Sequence, residues 1–167
     1  FPTAPVIAER IAEVALQTDG GRYAPQPGIP QLREAFADDI SDYYRCRIGA
    51  ENVLVTAGCN QAFCVVASAL AAPGDEVILV APHYFNHDMW LRVEGVRVRH
   101  LSPGPDLVPR VEDARALVDD RTRAVVLVSP GNPSGVTVPP EVIGDFAQLA
   151  RDTGITLVLD ETYRMFR

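Results

Sequence analysis

A carboxylate that closes a buried strand is costly unless a cation meets it. Asp160-Glu161-Thr162-Tyr163 places one directly after the apolar run Ile155–Leu159, with the hydroxyl of Tyr163 three residues further on. Three other apolar runs end in residues with usable chemistry. After Val128, the segment Ser129-Pro130-Gly131-Asn132-Pro133-Ser134-Gly135 forms a proline- and glycine-stiffened turn with Asn132 at its apex. Asn132 can donate to a ligand oxygen or cap its own turn. After Val80 come Ala81-Pro82-His83-Tyr84-Phe85-Asn86-His87, where an aromatic can lie flat on a heteroaromatic ring or pack into a core. After Thr56, Ala57-Gly58-Cys59-Asn60-Gln61 opens a helix. The N–H groups and positive dipole end of such a start suit a phosphate, although an ordinary strand-to-helix turn has the same form. The segment is neither a P-loop nor a G-x-G-x-x-G motif.

Metal chemistry has weaker support. His83 and His87 have the i, i+4 spacing of a ligand pair but lack the glutamate of the zinc-protease motif, and Cys59 and Cys64 match no common zinc spacing. No metal is expected. All fifteen basic residues are arginine, so chemistry that needs a lysine ε-amine cannot be completed by this chain.

The elements that must position these residues alternate in type. Helical spacing covers Thr3–Gln17, stopped at Gly20-Gly21, and Gln31–Tyr44, with Leu32, Phe36, Ile40 and Tyr43 on one face. A β-branched strand is expected over Asn52–Thr56 and an apolar helix over Gln61–Ala71. Strands follow at Glu76–Val80, Val96–Leu101, Ala124–Val128 and Ile155–Leu159, with helices at Glu112–Val118 and Pro139–Asp152. Unbroken apolar strands separated by helices predict an α/β fold, a three-layer sandwich around a mostly parallel sheet. In such sheets ligands bind beyond the carboxyl ends of the strands, where the four segments above lie.

Composition narrows the classes. One domain fits 167 residues, and a formal charge of −7 argues against a nucleic-acid surface. No apolar run is long enough for a membrane span. Three cysteines without framework spacing fit a reducing compartment, so a soluble, cytoplasmic protein is expected.

Taken together, the segments resemble the class I/II aminotransferases, fold-type-I enzymes that use pyridoxal 5'-phosphate. The likeness runs from Tyr23-Ala-Pro-Gln-Pro-Gly28 with Leu32-Arg33, through Val55-Thr-Ala-Gly58, Pro82-His-Tyr84 and Ser129–Gly135, to Asp160-Glu-Thr-Tyr163. The Asn-Pro-x-Gly and Asp-x-x-Tyr pair is its most specific part. The resemblance implies that Asp160 pairs with the cofactor's pyridine nitrogen, and that Asn132 and Tyr163 hydrogen-bond its phenolic oxygen. It also implies that Tyr84 stacks on the ring and that Gly58, Cys59 and Asn60 meet the phosphate. Tyr23 resembles a tyrosine that reaches the cofactor of the neighbouring subunit, which implies a homodimer with shared sites. Arg33 is expected to serve packing and helix-end electrostatics.

The resemblance further implies amino-group transfer between an α-amino acid and a 2-oxo acid. Residues 1–167 would then form part of the cofactor-binding large domain, with the rest of that domain and a small C-terminal domain outside the chain. The family's anchoring lysine, in a Ser-x-x-Lys segment beyond Asp-x-x-Tyr, and its substrate-carboxylate arginine are not matched. The chain alone is therefore expected to be inactive. Alternative readings are a lyase, cyclase or oxidase of the same fold, a cofactor-sensing domain of a transcription regulator, or a non-catalytic relative. Within Pro82–Trp90, Tyr84, Phe85, Asn86, His87 and Trp90 are candidates for substrate choice.

Overall fold

The computed structural model describes residues 2–18 and 20–166; Phe1, Asp19 and Arg167 lie outside them. The chain divides into two compact units, Phe1–Thr56 and Ala57–Arg167.

The first unit holds α1 (Pro5–Leu16), α2 (Pro30–Tyr44) and a 3-10 turn at Ala50–Asn52. Both helices carry proline in their first turn, where the missing N–H has no helical partner to lose. The apolar stripe of α1 is present, but none of its residues is buried. Gly28 is required as glycine: its φ is +99°, and an added Cβ would sit 2.7 Å from the Val55 side chain. Arg33 donates from Nε to the Val53 carbonyl at 2.9 Å and from its guanidinium to the Ala50 carbonyl. It thereby fastens α2 to the turn that follows. The expected strand over Asn52–Thr56 does not form. Val53 is extended and residues 53–56 carry no regular structure, and no neighbouring strand pairs with them among the described residues. β-branched content makes a segment fit a sheet, while a ladder requires a partner.

The second unit is built from α3 (Cys59–Leu70), β1 (Glu76–Val80), α4 (Phe85–Val93), β2 (Arg97–Leu101), α5 (Val111–Arg115), β3 (Thr122–Val128), α6 (Pro140–Thr153) and β4 (Thr156–Asp160). Its four strands lie in the order β2-β1-β3-β4, and every pairing is parallel. Successive side chains alternate between faces. Val77, Leu79, Ala124 and Val126 meet Phe63 and Ala67 of α3 and Leu91 of α4. Ile78, Leu101, Val125 and Leu127 meet Ala114 of α5 and Phe146 and Leu149 of α6. Helices thus cover both faces, the three-layer α/β arrangement that the sequence pattern predicts.

Phe146 is fully buried, and its truncation to alanine would cost about 3–5 kcal/mol. α6 ends at Gly154, whose φ of +76° suits a glycine cap. The sequence pattern did not separate α4 from its loop. Its signals were the Asp88/Arg92 pair at i, i+4 and the helical spacing of His87 and Leu91, both buried.

Candidate active site

Parallel pairing brings the carboxyl ends of β1, β3 and β4 to one edge, with Val128 opposite Asp160 in register. There, a cleft of about 180 Å³ is lined by Cys59, Asn60, Tyr84, Val128, Asn132, Asp160, Thr162 and Tyr163. Six residues singled out from sequence therefore share one cavity. Gly58 caps the start of α3 with φ +87°, a left-handed conformation natural to glycine, and the first turn of α3 supplies Cys59 and Asn60 to the wall. Tyr23 belongs to the first unit and is fully exposed.

The loop after β3 is fastened by its own backbone. Gly131 N–H donates to the Val136 carbonyl and Gly135 N–H to the Gly131 carbonyl, each at 2.8 Å, and the buried Ser129 hydroxyl accepts from Val138 N–H. The turn is closed without the Asn132 side chain. Asn132 Nδ2 instead lies 3.5 Å from the Tyr163 hydroxyl, joining the two loops that the sequence motifs mark. Asn86 Nδ2 donates to the Tyr84 hydroxyl at 3.2 Å, which fixes the outer end of that ring.

Asp160 is the electrostatic centre. Its Oδ1 accepts from the Thr162 hydroxyl at 2.7 Å and the Thr162 N–H at 3.0 Å, with Cys59 Sγ 3.5 Å away. Its Oδ2 lies 3.2 Å from Nε2 of His87, whose side chain is 2% exposed. Burial alone would raise the carboxyl's pKa. The His87 contact and the two Thr162 donors outweigh burial and hold it well below the usual carboxylate range. Asp160 is thus a partly buried, ionised carboxylate with Oδ2 only partly used. Burial pushes the Cys59 thiol up, the Thr162 contact lowers it, and the nearby Asp160 charge raises it again, so this sulfur stays a thiol.

Sequence reasoning named His87 only for substrate choice, did not set it against Asp160, and did not single out Thr162; both belong to the candidate site. The His87 ring stacks on Phe63 with centroids 3.9 Å apart and meets Tyr84 edge-on at 5.5 Å. His83 and His87, at i, i+4, point apart: His87 turns to Asp160, while His83 stacks on His100. The available signal for His87 was its place on the inward face of a short helix starting at Phe85.

The profile of the family described as aminotransferase class I and II matches residues 1–166. The chain is 35% identical over 161 residues to the aspartate/prephenate aminotransferase of Thermus thermophilus, covering 95% of this chain and 42% of that protein. It is 38% identical over 152 residues to a probable aspartate/prephenate aminotransferase of Thermus aquaticus, covering 89% and 39%. Among solved structures it is similar to the aspartate aminotransferase of Thermus thermophilus with maleate, at a TM-score of 0.89 and 36% identity, covering 96% of this chain and 42% of that one. It is also similar to YbdL of Escherichia coli, described with a methionine aminotransferase function, at a TM-score of 0.90 and 30% identity, covering 98% and 43%. The chain belongs to the class I and II aminotransferases. It spans about two fifths of the length of these curated relatives.

Members of this family depend on pyridoxal 5'-phosphate. The donor set fits that group. An ionised carboxylate with spare acceptor capacity suits a protonated ring nitrogen, Tyr84 offers an aromatic wall, and a glycine-capped helix start suits an anion.

Proposed function

We propose that the full-length protein is a pyridoxal-phosphate-dependent aminotransferase acting on an α-amino acid and a 2-oxo acid. This chain would supply the part of the large domain that holds the cofactor ring. The observation that carries the reading is the ionised Asp160, kept charged by His87 and Thr162 at the wall of a cleft shared with Tyr84, Asn132 and Tyr163.

When bound, the cofactor supplies an electron sink for negative charge at the substrate's α-carbon. Asp160 holds a proton on the ring nitrogen by offering Oδ2, and His87 keeps that carboxylate oriented and charged. Tyr84 stacks on the ring face, and Gly58, Cys59 and Asn60 hold the phosphate at the start of α3. Asn132 and Tyr163 hydrogen-bond the phenolic oxygen. This chain has no lysine, so the ε-amine that anchors the cofactor and moves the proton at the α-carbon must come from other residues of the protein. By the same resemblance, Tyr23 reaches the phosphate in a neighbouring subunit, which makes the protein a homodimer with shared sites. Its full exposure leaves it available for that contact. Free cysteines at 46, 59 and 64 support a reducing, cytoplasmic setting. Among the described residues, no helix is long and apolar enough to cross a membrane.

The test combines borohydride reduction of the full-length protein, peptide mapping and an amino-transfer assay across amino acids. A reduced pyridoxyl group on a lysine outside residues 1–167, with turnover of at least one amino acid to its 2-oxo acid, is the expected result. A pyridoxyl adduct without any turnover would replace the enzyme reading with a cofactor-sensing domain. No adduct would remove both.

A further inference from the structure

On the far side of the first turn of α4, Asp88 meets two imidazoles from different parts of the chain. His83 comes from the loop after β1 and His100 from the edge strand β2. One ligand atom from each of His83, Asp88 and His100 lies within 4.8 Å of the other two. The imidazole rings are nearly parallel, 11° apart, with centroids separated by 5.1 Å.

The Asp88 carboxylate is divided between two tasks. Arg92 Nε donates to Oδ2 at 2.6 Å. Oδ1 is inaccessible to solvent and has no hydrogen-bond partner, and His100 Nε2, its neighbour, is 4.0 Å away, beyond hydrogen-bond reach. An unpartnered buried carboxylate oxygen is costly, which points to a species that completes the cluster. His83 has a compatible arrangement: its Nδ1 lies 3.4 Å from the Tyr84 carbonyl, and in the tautomer donating there Nε2 is left to coordinate. Metal-binding histidines commonly direct their second nitrogen to a carbonyl, and metal-binding carboxylates commonly hold a second-oxygen hydrogen bond such as that from Arg92.

We propose that His83, Asp88 and His100 form a binding site for a first-row divalent cation of the zinc class, which ties the start of α4 to strand β2. Two neutral nitrogens and one carboxylate oxygen select zinc or cobalt over magnesium or calcium, which prefer oxygen ligands. Bonds of about 2.0–2.2 Å in a tetrahedron place ligand atoms roughly 3.4 Å apart, so side-chain rotations of about an ångström close the site. His100 is 43% exposed, which gives the ion access and leaves room for water as the fourth ligand. The site is distinct from the cleft, because His87 turns to Asp160 while its neighbour Asp88 faces the two other imidazoles.

The experiment uses untagged full-length protein, dialysed against a chelator and then freed of it and of excess cofactor. It is titrated with zinc chloride in competition with a chromophoric chelator and, separately, with cobalt(II) while visible absorption is recorded. One equivalent of zinc per chain and a tetrahedral cobalt spectrum are expected. His100→Gln and Asp88→Asn should each weaken zinc binding at least about tenfold. Circular dichroism of the metal-free variants establishes that each is folded, and His100→Gln, at an exposed edge position, is the variant least able to disturb the core. Absence of binding would overturn the proposal. Binding of equal strength in both folded variants would overturn it too, by placing the metal elsewhere.

Discussion

Two carboxylates, Glu76 buried and Asp160 partly buried, stand at opposite ends of the same parallel sheet and are treated in opposite ways. Glu76 opens β1 at the amino end and is surrounded by guanidinium groups: Arg97 at 2.6 Å, Arg99 at 2.9 Å and Arg121 at 3.9 Å. Asp160 closes β4 at the carboxyl end and receives one imidazole, one hydroxyl and one N–H. Excess cations saturate Glu76, so its charge is committed to the fold. Asp160 is kept ionised by donors that leave Oδ2 with capacity for a further cation. The difference between Glu76 and the candidate-site carboxylate Asp160 lies in what remains uncompensated, since both accept from surrounding donors.

The largest expected effect breaks the comparison at the cleft. In the full-length protein, Asp160→Asn should lower turnover about a hundredfold or more while cofactor content stays near the wild-type level. Steady-state kinetics with cofactor quantitation checks this, and normal turnover would strip Asp160 of its role. At the other end, Glu76→Ala should cost about 1–3 kcal/mol in denaturant unfolding and leave turnover per folded molecule unchanged. The cost stays moderate because Arg97 and Arg121 are half-exposed and can turn to water. A loss of turnover in folded Glu76→Ala would mean that the two ends are coupled.

Smaller effects sharpen the picture. Tyr84→Ala should weaken cofactor affinity about tenfold, read as a dissociation constant by absorbance, whereas an unchanged constant would return Tyr84 to the core. The pH response of Asp160 has a definite sign. Its folded pKa is depressed below the unfolded value of about 3.9, so its stabilisation is complete above that value and is lost as pH falls through the folded one. Thermal melts from about pH 5 down to about pH 2 should therefore show a shallower decline in Asp160→Asn than in wild type. Parallel declines would mean that the carboxylate gains nothing from His87 and Thr162 on folding.

Much of this was legible in the chain because parallel strands buried on both faces read as unbroken apolar runs. Glu76–Val80 was bounded to the residue, and β3 and β4 within two. Asn52–Thr56 was misread for a physical reason: its composition suits a sheet, yet no described strand lies beside it. The cleft was legible through Asn132 and Asp160–Tyr163, which stand together beyond the carboxyl ends of neighbouring parallel strands. His87 was not, because its partner lies 73 residues away, and its only local signal, the inward face of a short helix, does not name that partner. The same applies to Asp88 and His100, which come together only when α4 packs beside β2.

The turn in which Thr162 donates twice to Oδ1 of Asp160 has a consequence for the proton on His87. An asparagine at 160 can keep that turn through its amide oxygen, which leaves its amide nitrogen, a donor, facing His87 Nε2. Two donors cannot share one contact, so the imidazole must move its hydrogen to Nδ1. That nitrogen is buried and has no partner. A change of one atom at residue 160 thus relocates a hydrogen on residue 87 and leaves it without an acceptor, a tautomer switch that imidazole nitrogen chemical shifts would report directly.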